Sequence, residues 1–391
     1  MTRREAAGVA IVGTIGFVLA CALDGHGLAS AALYSDLHVY ASYAGKMVGG
    51  AVPYRDFSDE YPPLAQPVFL LGRVAGAAHY AQAFKAAMAL CGVGALWCAV
   101  FTLRAMGASV VRGAAAALVI AVSPVLVGPI FLNAYDLWPA FLLSLALLLF
   151  VARRPFWAFG VLGAAVAAKV YPVAVLPILL LALERSARVR ALATFAGVLV
   201  IVHLPPAVLG PGGLRYSYEV QLRRGLELNS LGGSILLALQ GHPHLANEPP
   251  GSLNVTGATA RALAAVSTVL VLCAIAAATL AYARGLPLPA ACAAAVTGFV
   301  AFDKVFSAQY VDWLVPLVPL AGLAAAVGSI PILVLTRLVF SRRAELASVT
   351  DVPLLLARNA AVVALFVTLL LLGLSPRRRN GQVRGDSPSP S

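Results

Sequence analysis

The residues best suited to catalysis or ligand binding lie in one polar segment that follows the first hydrophobic stretch. Residues 34–64 read YSDLHVYASYAGKMVGGAVPYRDFSDEYPPL and contain Asp36, Asp56, Asp59 and Glu60. A connecting loop could be short and neutral, so this composition predicts a segment that holds a polar ligand. The alternative is an ordinary solvated surface.

Asp36 differs from the other three acids because it lies next to the hydrophobic stretch. A carboxyl at such a boundary is partly desolvated, which raises its pKa toward the range of a useful general base. Tyr40 follows one helical turn later and is predicted to face the same side. We therefore expect Asp36 to accept a proton and Tyr40 to lie beside it.

Cations that could bind a phosphate occur at three further places. Lys169 interrupts the apolar run AAKVYP, where the alternative is a side chain that snorkels to water. Arg223 and Arg224 open the run RRGLELNS, although Arg224 could instead form a helix ion pair with Glu227. Lys304 lies in DKVFSAQY, at a second predicted helix break. We expect these four cations to bind phosphate.

Other polar residues near these segments are candidates for contacts with a sugar or an acceptor. Asp136 begins a predicted helix in NAYDLWP, and its alternative role is a carboxylate stabilised by the helix dipole. The predicted sugar or acceptor contacts are Tyr40, Glu60, Asp136, Asn229 and Gln309. The five cysteines have no metal-ligand spacing, so neither a metal nor a cofactor is predicted.

The elements that must position these residues are membrane helices. The chain is 61% hydrophobic and 11% charged, with a mean hydropathy of +0.89. Its apolar runs are continuous and match the bilayer thickness, which excludes a barrel with alternating strands. The fold class is therefore all-α: a polytopic transmembrane bundle of about 10–12 spans, with interfacial helices in external loops. We expect one transmembrane domain over 1–375 and a disordered, polar, basic tail over 376–391.

Two short runs separate at Lys169, so the backbone near residues 168–172 is predicted to turn, either inside the protein or at a thinned rim of the membrane. Residues 64–78 are predicted as an interfacial helix, and 328–345 as either a further span or a cytoplasmic hairpin. The predicted spans lie near 8–33, 82–104, 110–130, 134–152, 156–168, 170–183, 190–209, 259–283, 287–303, 310–327 and 354–374.

Charge distribution predicts the orientation and the compartment. The net charge of +12 comes from short basic clusters between hydrophobic runs, which is typical of topology signals and not of nucleic-acid binding. These clusters share one side if the N-terminus is cytoplasmic, and the acids then collect outside. The Ala-rich and Arg-rich composition is typical of a bacterial genome, so we expect a multi-pass protein of the bacterial plasma membrane.

An ordered set of short motifs resembles a known family. The set comprises SDLHVY, GGAVPYRDF, EYPPL, YDLWP, AKVYP, RGLELNS and KVFSAQY, and the resemblance covers about residues 8–330. In this order the motifs resemble glycosyltransferase family 87, a bacterial group of polyprenyl-phosphate-dependent, mannosyltransferase-like membrane proteins with the GT-C fold.

The resemblance implies a GT-C-like fold and an inverting transferase. Its donor would be a polyprenyl-phospho-sugar carrying mannose or another hexose or pentose. Its acceptor would be an envelope glycolipid or polysaccharide on the outer face. An aspartate after the first helix would be the base, a role that falls on Asp36. Its partners would be the donor, the glycan acceptor and membrane lipid, without nucleic acid.

Two other classes of protein fit parts of the same pattern. A lipid-linked sugar flippase or a secondary transporter also needs charge in the membrane, but its substrate residues lie near the midplane. This chain places its polar groups toward one surface. A noncatalytic scaffold of an envelope complex is the third alternative, and it would not depend on Asp36.

Overall fold

The computed structural model describes residues 1–23, 35–241, 243–248, 252–341 and 351–372. The predicted tail at 376–391 lies outside these residues, as does the end of the predicted span 8–33. The α-helices are α1 (Arg3–Ala22), α2 (Leu37–Val48), α3 (Gln66–Leu71), α4 (Tyr80–Ala105), α5 (Val110–Val127), α6 (Ile130–Asn133), α7 (Leu137–Val151), α8 (Pro155–Ala168), α9 (Leu176–Leu181), α10 (Arg185–Leu209), α11 (Pro211–Arg223), α12 (Leu231–Gln240), α13 (Ala258–Ala283), α14 (Leu288–Phe302), α15 (Val318–Ala321), α16 (Leu323–Ser341) and α17 (Val352–Leu371).

Seven of the described helices are long and apolar enough to cross a membrane: α1, α4, α5, α10, α13, α16 and α17. Helix α1 begins at a capping box. In α1 the side chain of Thr2 accepts from the backbone N–H of Glu5, and the Glu5 side chain accepts from the N–H of Thr2. The predicted all-α membrane fold is confirmed.

Three shorter apolar helices fill the interior of the bundle. Helix α7 packs between α4 and α8, while α14 packs against α13 and α17. At 14 or 15 residues, α7, α8 and α14 measure only about 21–23 Å, less than the roughly 30 Å apolar core of a bilayer. They depend on neighbouring helices to shield their ends.

The predicted break after α8 is confirmed. Lys169 caps α8 with extended backbone (φ −161°, ψ 142°), a 3₁₀ turn covers Tyr171–Val175, and α9 follows. Pro172 lies in the first turn after the break, where a missing backbone N–H costs little.

The structure differs from the predicted span at 310–327. A 3₁₀ turn occupies Ala308–Trp313, and only the short helix α15 follows before α16 begins at Leu323. Gly322 separates the two at φ +144°, a conformation that an L side chain rarely adopts. Apolar composition concealed this irregular backbone. Helix α16 instead covers most of the ambiguous segment 328–345, of which 342–345 lie outside the described residues.

The long segment between α10 and α13 contains more structure than interfacial helices. Besides α11 and α12 it carries three short antiparallel strands: β1 (Leu226–Glu227), β2 (Leu245–Glu248) and β3 (Ser252–Val255). β3 lies between the other two, pairing Leu226 and Leu245 with the same residue, Val255. This small sheet was not predicted, because strands of two to four residues carry almost no periodicity.

Candidate functional site

A cavity of about 480 Å³ lies where four irregular segments meet. These are the first polar loop, the break after α8, the end of α11, and residues 303–313. Its charged and polar lining consists of Asp36, Glu60, Tyr61, Tyr135, Lys169, Tyr171, Tyr218, Gln221, Arg224, Glu227, Ser252, Thr268, Asp303, Lys304, Ser307, Gln309, Tyr310 and Trp313.

Asp36 immediately precedes α2 and is half-buried at the cavity wall. Its Oδ2 atom accepts from the Tyr40 hydroxyl and from Gln309 Nε2, both at 3.3 Å. Among the described residues no hydrogen bond involves Oδ1, which leaves that atom for a ligand. Burial, and next the charge of Asp136, raise the pKa of Asp36. A raised pKa suits a group that must accept a proton.

Lys169 enters the cavity from the break after α8, with Asp136 directly behind it. Lys169 Nζ lies 2.6 Å from Asp136 Oδ1, and Trp313 Nε1 donates to the same oxygen at 2.6 Å. Asp136 is fully buried, whereas the Lys169 side chain keeps 17% exposure. Lys169 is therefore oriented by a buried carboxylate: Asp136 lies behind the cavity wall and binds the lysine that lines the cavity.

Aromatic rings surround the Lys169 ammonium group. Its Nζ lies 4.8 Å from the ring centroid of Tyr135, 5.4 Å from that of Tyr310 and 5.2 Å from that of Trp313. Trp313 stacks in turn on Tyr171, with centroids 3.9 Å apart. The faces of these rings attract a cation and exclude water from it. The ammonium group is therefore held in a defined position at the cavity by three rings and one carboxylate.

Two buried carboxyls lie together in the first polar loop. Asp59 is fully buried and accepts from the Tyr61 N–H at 2.8 Å, while Glu60 is 6% exposed and lines the cavity. Glu60 Oε2 has no hydrogen-bond partner among the described residues. Burial raises the pKa of Glu60 to about 8 and that of Asp59 to about 7. Glu60 can therefore act as a hydroxyl donor or as an acceptor toward a ligand.

Of the other predicted phosphate-binding residues, two reach the cavity and one does not. Lys304 lines it and donates from Nζ to the Leu222 carbonyl at 2.6 Å, and Arg224 lines it close to Gln221. The Arg223 side chain points to the surface instead. It is 77% exposed and lies 3.5 Å from Glu219 in an i, i+4 ion pair.

Asn229 does not line the cavity. It lies in a buried polar cluster whose members the sequence did not indicate to be neighbours. The cluster is centred on Arg358 of α17, which is fully buried and donates to the Asn229 carbonyl. The Arg358 guanidinium also stacks 3.8 Å from the ring centroid of Phe306. The sequence did contain a signal for this cluster: Arg358 is a cation within the apolar run of α17, and a cation in such a run also identified Lys169.

Glu227 links this cluster to the cavity. Its Oε2 accepts from the Phe306 N–H at 2.8 Å, and its own N–H donates to the Lys304 carbonyl at 2.9 Å. The predicted alternative, an ion pair between Arg224 and Glu227 on one helix, is not what the structure has, because Glu227 belongs to β1. Glu227 instead fixes the segment that carries Lys304.

An apolar groove follows helix α13 toward its C-terminal end. Pro177 and Leu181 of α9 form one wall, and the other consists of Leu272, Ile275, Ala276, Thr279, Leu280 and Ala283 of α13. Thr268 and Val271, on the preceding turn of α13, line the cavity. The same helix therefore borders a polar cavity and an apolar groove in succession.

The structure thus brings most of the predicted site residues together. Asp36, Glu60, Lys169, Arg224, Lys304 and Gln309 line one cavity, with Tyr40 and Asp136 behind them. Sequence analysis did not select Tyr218 or Asp303 as site residues. Tyr218 is a single polar residue in a long segment, and Asp303 is the last residue of a predicted span, so neither carries a spacing signal.

A sequence model described as glycosyltransferase family 87 matches residues 60–307, which is more than half of the chain. Asp36 and Arg358 lie outside the matched range. No curated protein matches in sequence.

The chain is also similar to crystal structures of ArnT from Cupriavidus metallidurans, one bound to undecaprenyl phosphate and one in the apo state. Identity is 16% in both cases, with 94% of this chain and 76% of that chain covered. The TM-scores of 0.49 and 0.48 are too low to support an argument about this chain.

Proposed function

This chain belongs to glycosyltransferase family 87, and on that premise we propose that it transfers a sugar from a polyprenyl-phosphate-linked donor to an envelope acceptor. The acceptor is a hydroxyl group of a glycolipid or polysaccharide, and mannose is the first candidate for the sugar. The reaction inverts the anomeric configuration, with Asp36 as the general base.

The observation that carries this proposal is a carboxylate and three cations at one cavity. Asp36 has a free oxygen atom there, and Lys169, Arg224 and Lys304 line the same space. Attack on a phosphate-activated sugar needs both features, because one reactant loses a proton while the other releases a phosphate.

The chemical step follows from these groups. The acceptor hydroxyl gives its proton to Asp36 Oδ1 as its oxygen bonds to the anomeric carbon from the side opposite the phosphate. The bond between the anomeric carbon and the phosphate oxygen breaks, and its electron pair remains on that oxygen. Lys169, Arg224 and Lys304 stabilise the negative charge on the departing polyprenyl phosphate. In a site that excludes water, this electrostatic stabilisation lowers the barrier by about 3 kcal/mol.

The groove along α13 supports a lipid carrier for the donor. From Val271 to Ala283 the helix rises about 18 Å, enough for several isoprene units in an extended chain. An apolar groove next to a cationic cavity fits a molecule with a phosphate head and an apolar tail. We propose that the donor tail lies there.

The orientation proposed for this reaction has the N-terminus in the cytoplasm and the cavity on the outer face of a bacterial plasma membrane. The basic clusters support it, since cytoplasmic loops carry an excess of arginine and lysine. An external cavity matches a lipid-linked donor, because nucleotide-sugars remain in the cytoplasm.

Purified protein incubated with radiolabelled polyprenyl-phospho-mannose and a panel of envelope glycolipids tests the proposal. We expect a labelled glycolipid from the wild type. Asp36→Asn should lower turnover by about 10²-fold or more while donor binding persists, because the amide keeps the size of the side chain but accepts no proton.

Asp56→Asn is the matched control for this experiment. Asp56 lies in the same loop but is exposed and ion-paired with Arg55 at 2.8 Å, so its replacement should leave turnover within about twofold. Near-normal turnover in Asp36→Asn would refute the assigned base. An absence of labelled product with every lipid-linked sugar tested would refute the donor class.

A further inference from the structure

Tyr218 lines the cavity from α11, and its phenol has a hydrogen-bond partner outside the cavity. Its hydroxyl oxygen lies 2.5 Å from Nε2 of His203, a residue of α10. The other ring nitrogen of His203, Nδ1, lies 2.8 Å from the Leu199 carbonyl oxygen. These two contacts decide which atom donates in each hydrogen bond.

A carbonyl oxygen can only accept, so the hydrogen of a neutral His203 ring must lie on Nδ1. Nε2 is then an acceptor, and the Tyr218 hydroxyl must donate to it. The donor capacity of that phenol is used, and two lone pairs on its oxygen are left. Among the described residues no other group donates to this oxygen. The phenol can therefore accept from a ligand but has no hydrogen to give to one.

The position of Tyr218 is fixed by close backbone packing. A Cβ atom built on Gly213, at the start of α11, would lie 2.0 Å from the Tyr54 carbonyl oxygen, so this helix rests directly on the first polar loop. One turn beyond Tyr218, Gln221 Nε2 donates to the Glu60 carbonyl at 3.2 Å. Tyr218 thus lies on a helix anchored to the loop that carries Glu60, whose Oε2 has no hydrogen-bond partner among the described residues.

We infer that Tyr218 is a sugar-binding residue that accepts a hydrogen bond from a sugar hydroxyl, and that His203 is the positioning residue that fixes this polarity. The inference rests on the proposed function. An acceptor of this kind repels phosphate oxygens, which only accept unless protonated, so within the cavity Tyr218 favours contact with a sugar hydroxyl over contact with the phosphate.

Four variants test this inference: Tyr218→Phe, His203→Leu, His203→Gln and the control Tyr216→Phe. Tyr216 lies on the same helix and is 41% exposed. The measurements are kcat and KM for polyprenyl-phospho-mannose and for the glycolipid acceptor, and inhibition by polyprenyl phosphate without a sugar.

We expect Tyr218→Phe to raise one KM by about 3- to 10-fold with little change in kcat, as for the loss of one hydrogen bond made equally in the ground and transition states. A rise in the donor KM identifies the transferred sugar as the ligand, and a rise in the acceptor KM identifies the acceptor glycan. Inhibition by sugar-free polyprenyl phosphate should not change, because that molecule has no hydroxyl for Tyr218. Tyr216→Phe should behave like the wild type.

His203→Leu should raise the same KM by a smaller factor than Tyr218→Phe, because the Tyr218 oxygen can still accept but is no longer held with its hydrogen turned away from the ligand. His203→Gln should restore the wild-type KM, since the Gln side-chain oxygen replaces Nε2 as an acceptor. A general structural defect would not be rescued in this way. Unchanged KM values in Tyr218→Phe would overturn the inference, as would an equal weakening of polyprenyl phosphate inhibition. A wild type without any transfer would instead count against the proposed function.

Discussion

At the scale of single residues, Lys169 and Asp136 behave as one unit. Asp136 is fully buried, and apart from Lys169 its Oδ1 accepts only from Trp313. Lys169→Met should therefore destabilise the fold by about 3–5 kcal/mol, the usual result of leaving a buried charge without its partner. Thermal unfolding in detergent measures this change.

The double variant Lys169→Met with Asp136→Asn separates stability from binding. It should recover most of the lost stability, because no unpaired charge remains, while donor affinity stays low. Lys304→Met provides the comparison. Its partner is a backbone carbonyl, so stability should fall by only about 1 kcal/mol while donor binding weakens and becomes less dependent on salt. Normal donor affinity in the double variant would mean that Lys169 is purely structural.

The buried carboxyls of the first loop predict a pH dependence of stability. Folding raises the pKa of Glu60 from 4.5 to about 8. Between these two pH values the folded protein keeps the Glu60 proton, whereas the unfolded chain has released it. This contribution is complete below about pH 4.5 and is lost as the pH rises through 8. Asp59 acts in the same direction, between 3.8 and about 7.

We therefore expect the midpoint temperature of thermal unfolding to decrease as the pH is raised from 5 to 8.5. The decrease should be smaller in Glu60→Gln. Asp56→Asn is the matched control. The Arg55 guanidinium lowers the pKa of Asp56 to about 2, so its titration ends below this range and its removal should leave the slope unchanged. A midpoint that rises over this range would contradict the assignment of Glu60 as a buried neutral carboxyl.

At the scale of elements, α17 holds the segment that carries Lys304. Arg358 donates to the Asn229 carbonyl and stacks on Phe306, and Glu227 binds the backbone of both Phe306 and Lys304. Arg358→Met should lower stability by about 1–3 kcal/mol and raise the donor KM several-fold. Thermal unfolding and steady-state kinetics report the two effects separately.

Arg337→Met is suited as its control. Arg337 of α16 also donates to a backbone carbonyl, that of Val125, but it does not line the cavity. Its replacement should lower stability without changing the donor KM. Equal KM values in the two variants would remove the proposed link between α17 and Lys304.

The elements also explain how far the sequence could predict this site. Long apolar runs identified α4, α10, α13 and α17 because a membrane span is specified by length and hydropathy. Lys169 was identified because a charge in such a run is rare. The Ala308–Trp313 turn was missed, because the apolar residues that follow it extend the run to the length of a span, although Gln309 and Asp312 interrupt it. The alternative that placed Arg224 and Glu227 on one helix is wrong, because the strand of Glu227 is set by a distant pairing with Asn254.

At the scale of the whole molecule, the arrangement predicts which residues face each side of the membrane. Single cysteines at Ser58 and His244 should react with an impermeant thiol reagent added to intact cells, and one at Ser186 should react only after permeabilisation. All three positions are exposed, so access to the reagent depends on the side alone. A cysteine-free parent supplies the background, and the reversed pattern would place Asp36 in the cytoplasm.

The burial of α14 has a consequence for synthesis of the protein. Helix α10 is long and apolar, and almost none of it is buried inside the bundle, so it can leave the translocon for lipid unaided. Helix α14 is shorter than the bilayer core, 12 of its 15 residues are buried, and its partner α17 emerges about 50 residues later. Until then α14 has only α13, α15 and earlier helices to pack against, so the burial of α14 is completed by an assembly step that waits for α17.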